Sequence, residues 1–257
     1  MRIFLTGASS GIGAALAHHY AATGATLGLA ARHQRRLSDL VAELSTVLPG
    51  VHATYSLDVS DAPALQAAAT DFIARFGCPD IVIANAGISV GTLTSEVEDL
   101  PAFRRVFETN VLGMVHTFAP FIQAMQARGS GTLVGIASVA GIRGLPGAGA
   151  YSASKAAVIA YLEALRVELR GSGIQVVTLL PGYIATPMTA KNPYPMPFLL
   201  PADVAARRFA RAIARGTSYV VIPWQMGWVA KLLRWLPNSL FDAIFVRAGR
   251  KPRGLEL

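Results

Sequence analysis

"RIFLTGASSGIGAALAHHY", residues 2–20, starts as a short aliphatic run, turns on three glycines and continues as an apolar-periodic stretch. The run at 2–5 reads as a buried strand and 11–23 as a helix, with "TGASSGIG" (6–13) as the tight connection between them. Gly7 permits the sharp exit from the strand, while Gly11 and Gly13 let the backbone approach a ligand and the neighbouring strand closely. Ser9, Ser10 and Ile12 fill the rest of the turn. A helix opening here presents unpaired N–H groups and a positive dipole end to a phosphate. A glycine-rich turn alone is a weak signal. At the head of the first strand–helix–strand unit of a doubly wound sheet it indicates a dinucleotide site. The spacing is G-x-x-x-G-x-G rather than the commoner G-x-G-x-x-G.

Outward from that stretch, strand-like runs recur at 26–31, 51–57, 80–84, 131–137, 174–180 and 219–222. Helical periodicity fills 34–48, 61–76, about 100–128, 151–170 and 202–215. Strict alternation implies a parallel sheet with helices on both faces, hence one doubly wound α/β domain over 1–222. Unbroken apolar runs such as "IVIA" (81–84) suit strands buried on both sides. Two regions break the pattern. Residues 182–201 hold five prolines and read as a substrate lid, and 223–257 read as an apolar, basic helical extension.

The 257 residues are 53% hydrophobic and 15% charged, with a mean hydropathy of +0.43, so the core is large. A single cysteine, Cys78, excludes an internal disulfide and a cysteine-based zinc site. No room exists for a removable leader before the first glycine turn, and the reading is cytoplasmic. The net charge of +8 is scattered without a basic–aromatic stripe, which argues against nucleic acid. Residues 216–257 hold six basic and two acidic residues and so carry half of that charge.

The end of the second strand, "LGLAARHQRRL", should meet the adenosine ribose. A carboxylate there would bind the 2′-hydroxyl and repel a 2′-phosphate, but the turn carries Arg32 and no acid. Arg32 can bond a 2′-phosphate, although it also suits the first solvated position after a strand. NADP(H) is therefore expected over NAD(H). Further along, Tyr151 and Lys155 stand one helical turn apart at the start of an Ala-, Leu- and Val-rich helix.

Taken in order, "TGASSGIG", "LDVSD" (57–61), "ANAG" (84–87), "ETNVLG" (108–113), "GIASVAG" (135–141), "YSASK" (151–155) and "LLPGYIATPM" (179–188) resemble the short-chain dehydrogenase/reductase family over residues 2–222. The resemblance implies a seven-stranded parallel sheet of order 3-2-1-4-5-6-7 and hydride transfer between a nicotinamide and a carbonyl or alcohol. It gives Asn110, Ser138, Tyr151 and Lys155 the catalytic positions, with Ser138 and Tyr151 on the substrate.

The chemistry fits. Charge growing on a carbonyl oxygen requires a proton donor, and a free tyrosine, with a pKa of about 10, suits neutral pH poorly. A neighbouring ammonium and an oxidised nicotinamide would lower that pKa. Ser138 would stabilise the oxyanion, or else cap a turn. Asn110, mid-helix, would hold a relay water, or else mark a kink or a buried amide.

The same resemblance puts Asp58 and Val59 at the adenine edge and Asn85, Ala86 and Gly87 at the adenosine ribose. Pro181, Gly182, Ile184 and Thr186 fall beside the nicotinamide carboxamide and phosphates. It also implies a small-molecule carbonyl or alcohol substrate and a homo-oligomer, dimer or tetramer. The lid side chains Tyr183, Ile184, Met188, Tyr194, Met196, Phe198, Leu199 and Leu200 are mostly apolar and favour a hydrophobic substrate. Arg143, near the mouth, reads as a solvated loop residue.

Trp224, Trp228, Leu232 and Trp235 keep helical spacing, and Leu240, Phe241, Ile244 and Phe245 extend an apolar face past Pro237. Either this extension packs over the pocket or a subunit and buries its tryptophans, or it lies on a membrane surface. In the second case Arg247, Arg250, Lys251 and Arg253 would face anionic lipid.

Overall fold

The computed structural model describes residues 1–47 and 50–254. Seven strands form one parallel sheet: β1 (Arg2–Thr6), β2 (Thr26–Ala31), β3 (His52–Ser56), β4 (Ile81–Ala84), β5 (Gly131–Ile136), β6 (Ile174–Pro181) and β7 (Tyr219–Ile222). Their order is β3-β2-β1-β4-β5-β6-β7, as the family resemblance implies. Alternation along a strand divides the core in two. Ile3 and Leu5 join the cluster under helices α1 (Gly11–Ala21), α2 (Gln34–Val47) and the helix over Ala202–Ala214, whereas Phe4 joins the opposite one. That second face is covered by α3 (Ala62–Phe76), by a helix over Gly113–Arg128 and by another over Gly149–Glu168. There Phe4 meets Phe72 edge-on at 5.6 Å and Phe121 at 4.9 Å.

The segment at 100–128 is not one helix. It divides into α4 (Leu100–Phe107), a π-helical turn over Glu108–Leu112 and α5 (Gly113–Arg128). The cause lies outside the segment. Asn110, in the π turn, accepts from the Ile88 N–H at 2.8 Å, and its amide donates to the Ile88 carbonyl and to Ser154 Oγ, both at 3.0 Å. Those bonds tie the loop after β4 to α6 (Gly149–Glu168), and widening the helix by one residue lets the side chain reach both. The expected helix over 34–48 is α2, with residue 48 outside the described residues.

The proline-rich lid contains only short elements. Ile184–Ala185 pairs parallel with Leu200–Pro201, and α7 (Pro187–Ala190) is closed by a reciprocal Thr186/Thr189 cap. α8 (Ala202–Ala214) then leads into β7. The extension forms α9 (Trp224–Trp235) and α10 (Asn238–Phe245), and residues 255–257 lie outside the described residues.

The extension does pack back on the domain, but not through its tryptophans. Met226, Ala230 and Phe241 are buried, while Trp224 and Trp228 are 66% exposed and Trp235 is 84% exposed. Within one chain the tryptophans are therefore not buried, which leaves them to a second subunit or a membrane surface. Among the described residues no helix is long and apolar enough to cross a membrane.

Candidate active site

The strand order reverses between β1 and β4, and a crevice opens at the C-terminal ends of the strands there. Its floor is the glycine turn. A Cβ on Gly13 would lie 2.1 Å from the Gly7 carbonyl oxygen, so α1 can sit this low on β1 only with glycine there. Gly7 and Gly11 have φ of +66° and +56°, which side-chain-bearing residues rarely adopt. Asn85 locks the turn: its amide donates to the Thr6 and Gly7 carbonyls at 3.1 Å each. Ser10 makes no side-chain cap, so the first N–H groups of α1 are left for a ligand. The turn thus fits a dinucleotide pyrophosphate on its own geometry.

The cleft is continuous. Gly7, Ser9, Ser10, Gly11 and Ile12 line one wall, and Asp58, Val59, Asn85, Ala86 and Gly87 line another. Ser138, Tyr151 and Lys155 face Pro181, Gly182, Ile184 and Thr186 across it. Two expected residues stand behind the wall: Gly13 under the turn, and Asn110 in the π segment. At the far end Arg32 is joined by His33 and Arg36, which the sequence reading did not single out. Asp58 lines the cleft with its carboxylate already engaged, accepting from Ser60 N at 2.9 Å, from Ser60 Oγ at 2.7 Å and from Arg105. Burial raises its pKa, but these bonds outweigh burial and hold it below the usual carboxylate range.

Ser138 is buried and accepts from Ala140 N–H at 3.1 Å, so it caps a turn and still has its own O–H to donate. Lys155 is buried, donates from Nζ to the Ile136 carbonyl at 2.8 Å and lies 5.9 Å from the Tyr151 ring centroid. Burial pushes its pKa down to about 8. The expectation that this ammonium lowers the tyrosine pKa is not met in the free protein. Burial pushes Tyr151 up, and the opposing influence is a hydrogen bond with Ser138.

Arg143 is not a solvated loop residue. It donates to the Leu233 and Leu236 carbonyls and, at 3.0 Å, to Asn238 Oδ1, with its guanidinium 3.9 Å from the Phe241 ring centroid. It thereby pins the joint between α9 and α10. Two of the four basic residues expected to face lipid are also committed elsewhere. Arg253 bonds Asp99 Oδ2 at 2.8 Å and Glu96 at 3.2 Å, and Lys251 bonds Ser89 Oγ at 2.6 Å.

The family model for short chain dehydrogenases matches residues 1–195. The chain belongs to that family. This dehydrogenase is 38% identical to an uncharacterised oxidoreductase of Myxococcus xanthus, over 93% of its own chain and 94% of the other. It is 34% identical to 11-beta-hydroxysteroid dehydrogenase-like 2 of Arabidopsis thaliana, over 95% and 81% of the two chains. Among solved structures, the alcohol dehydrogenase of Thermococcus sibiricus complexed with 5-hydroxy-NADP superposes with a TM-score of 0.76 at 26% identity, covering 86% of this chain and 95% of that one. The dehydrogenase is thus an NAD(P)-dependent oxidoreductase of a shared fold and shared hydride-transfer chemistry.

Proposed function

We propose that the enzyme transfers a hydride between NADP(H), preferred over NAD(H), and a carbonyl or secondary alcohol of a largely apolar substrate. The supporting observation is convergence: Ser138, Tyr151 and Lys155 line the same cleft as the glycine turn. When bound, the nicotinamide supplies or accepts the hydride. Tyr151 donates its proton to the oxygen that gains charge, and the O–H of Ser138, bonded to Tyr151 in the free protein, turns to stabilise the same oxygen. Lys155, held by the Ile136 carbonyl, keeps a positive charge behind the phenol. Asn110 acts as a positioning residue by fixing the β4 loop against the helix that carries Tyr151. The lid supports an apolar substrate: its Ile184, Pro187 and Met188 line the cleft. The name of the hydroxysteroid dehydrogenase-like relative points the same way.

Cofactor choice rests on the basic end of the cleft. Among the described residues Arg32 and Arg36 form no ion pair, so their charge is available to a 2′-phosphate beside the His33 ring. Arg32→Ala should remove about 1–3 kcal/mol of the preference for NADPH over NADH, roughly 5- to 150-fold in the ratio of dissociation constants. Nucleotide fluorescence titration measures it, and equal affinity of the unaltered enzyme for both nucleotides would contradict the assignment.

The outward stripe of Trp224, Trp228, Leu232 and Trp235, with Lys231, Arg234 and Arg247 nearby, supports a peripheral membrane contact through the extension. The intact enzyme should then co-sediment with anionic vesicles and be released by salt. Absence of binding, together with a dimer that Trp228→Glu dissociates, would assign the stripe to a second copy instead.

A further inference from the structure

Residues 249–254 return across the mouth of the cleft as a strap. Gly91 N–H donates to the Pro252 carbonyl at 2.8 Å, and Arg253 anchors the far end on Asp99 and Glu96. The approach is close: a Cβ on Gly91 would lie 2.2 Å from the Lys251 carbonyl oxygen. At the other end Gly249 rests on Tyr194 of the lid. Between these anchors Lys251 turns inward. Its Nζ donates to Ser89 Oγ at 2.6 Å and lies 5.5 Å from the Tyr151 ring centroid, nearer than Lys155.

Arg253, two residues on, has two carboxylate partners, whereas Lys251 has none among the described residues. Burial pushes its pKa down to about 8. An ammonium withdrawn from water without a counter-ion is costly, and an anion arriving with the ligand would remove that cost.

We infer that Lys251 is a specificity-determining residue that binds an acidic group of the substrate, so that the enzyme selects apolar oxo acids over neutral ketones. The carbonyl part of this inference rests on the hydride-transfer reading above, while the anion site does not. A carboxylate bonded to Lys251 Nζ leaves the reacting oxygen for Tyr151 and Ser138, and the alkyl part lies under the lid.

Calorimetry on the full-length protein saturated with NADP⁺ tests the site without turnover. Octanoate should bind at least about 10-fold more tightly than octanol, as a charge-assisted bond implies. Lys251→Met should remove the difference, and Lys251→Arg should keep most of it. Equal binding of the two probes by the unaltered enzyme, or a preference that persists in Lys251→Met, would overturn the inference. Kinetics with NADPH supply the second arm. Lys251→Met should raise KM for 2-oxooctanoate about 10-fold or more while leaving its methyl ester unchanged. If octanoate binding depends on Lys251 but neither carbonyl compound is reduced, the anion site stands and the hydride-transfer reading falls.

Discussion

Turnover of Tyr151→Phe is expected to fall at least ~10²-fold, and up to ~10⁴-fold, with NADPH binding retained. The phenyl ring fills the same space, so only the proton donor is lost. Nothing else in the cleft replaces it: the Ser138 hydroxyl, an aliphatic alcohol, is a far weaker acid than a phenol, and Lys155 is turned onto the Ile136 carbonyl. Lys155→Ala should damage nucleotide affinity and turnover together, since the family resemblance implies that this ammonium also holds the nicotinamide ribose hydroxyls.

A pH dependence follows. Burial raises the tyrosine pKa, so the phenol stays protonated across the neutral range, while the lysine, lowered to about 8, loses its charge as pH rises through that value. The reductive rate should therefore decline above about pH 8. Steady-state kinetics on any accepted ketone, with nucleotide fluorescence alongside, measures both effects. Near-normal turnover in Tyr151→Phe would remove the tyrosine from the mechanism.

Gly13→Ala should damage both the fold and nucleotide binding. The added carbon would sit 2.1 Å from the Gly7 carbonyl oxygen and 2.7 Å from the Asn85 amide nitrogen. Neither can yield. Gly7 is backbone, and Asn85 is committed to the Thr6 and Gly7 carbonyls. The start of α1 must therefore lift away from β1. Overpacking of this kind costs about 1–3 kcal/mol, enough to lower Tm by several degrees in a chain of this size. Losing two phosphate-binding N–H bonds should weaken NADPH on the order of 10²-fold. Gly144→Ala, with nothing within 4 Å of its added Cβ, should change neither property. Thermal unfolding and nucleotide titration of the pair provide the check, and equal behaviour of the two variants would refute the close approach.

Much of this was legible without coordinates, because local chemistry enforces it. Aliphatic runs such as 2–5 and 81–84 can be buried on both faces only as central strands, and they are β1 and β4. The glycine turn declares itself because few other residues allow that backbone. The expected site residues of the cleft wall converge because each follows the C-terminal end of a parallel strand or opens the next helix.

What stayed hidden depends on partners distant in sequence. The break in the helix over 100–128 requires Ile88 and Ser154, 22 and 44 residues from Asn110. Arg143 reads as solvated until Leu233, Leu236 and Asn238, about 90 residues later, come to it.

By itself, the sequence determined the doubly wound sheet, its strand order through the family motifs, the dinucleotide turn and the Ser138, Tyr151 and Lys155 set. Those features are written in hydrophobic period and backbone permissiveness, which act over a few residues. Only the tertiary structure decided which face of the tail is wet, that Asp58 is already held by Arg105, and that the tyrosine pKa is raised rather than lowered. It also decided that Lys251 returns to Tyr151. Burial and charge pairing set these outcomes, and both depend on what the fold brings alongside a residue rather than on its neighbours in the chain.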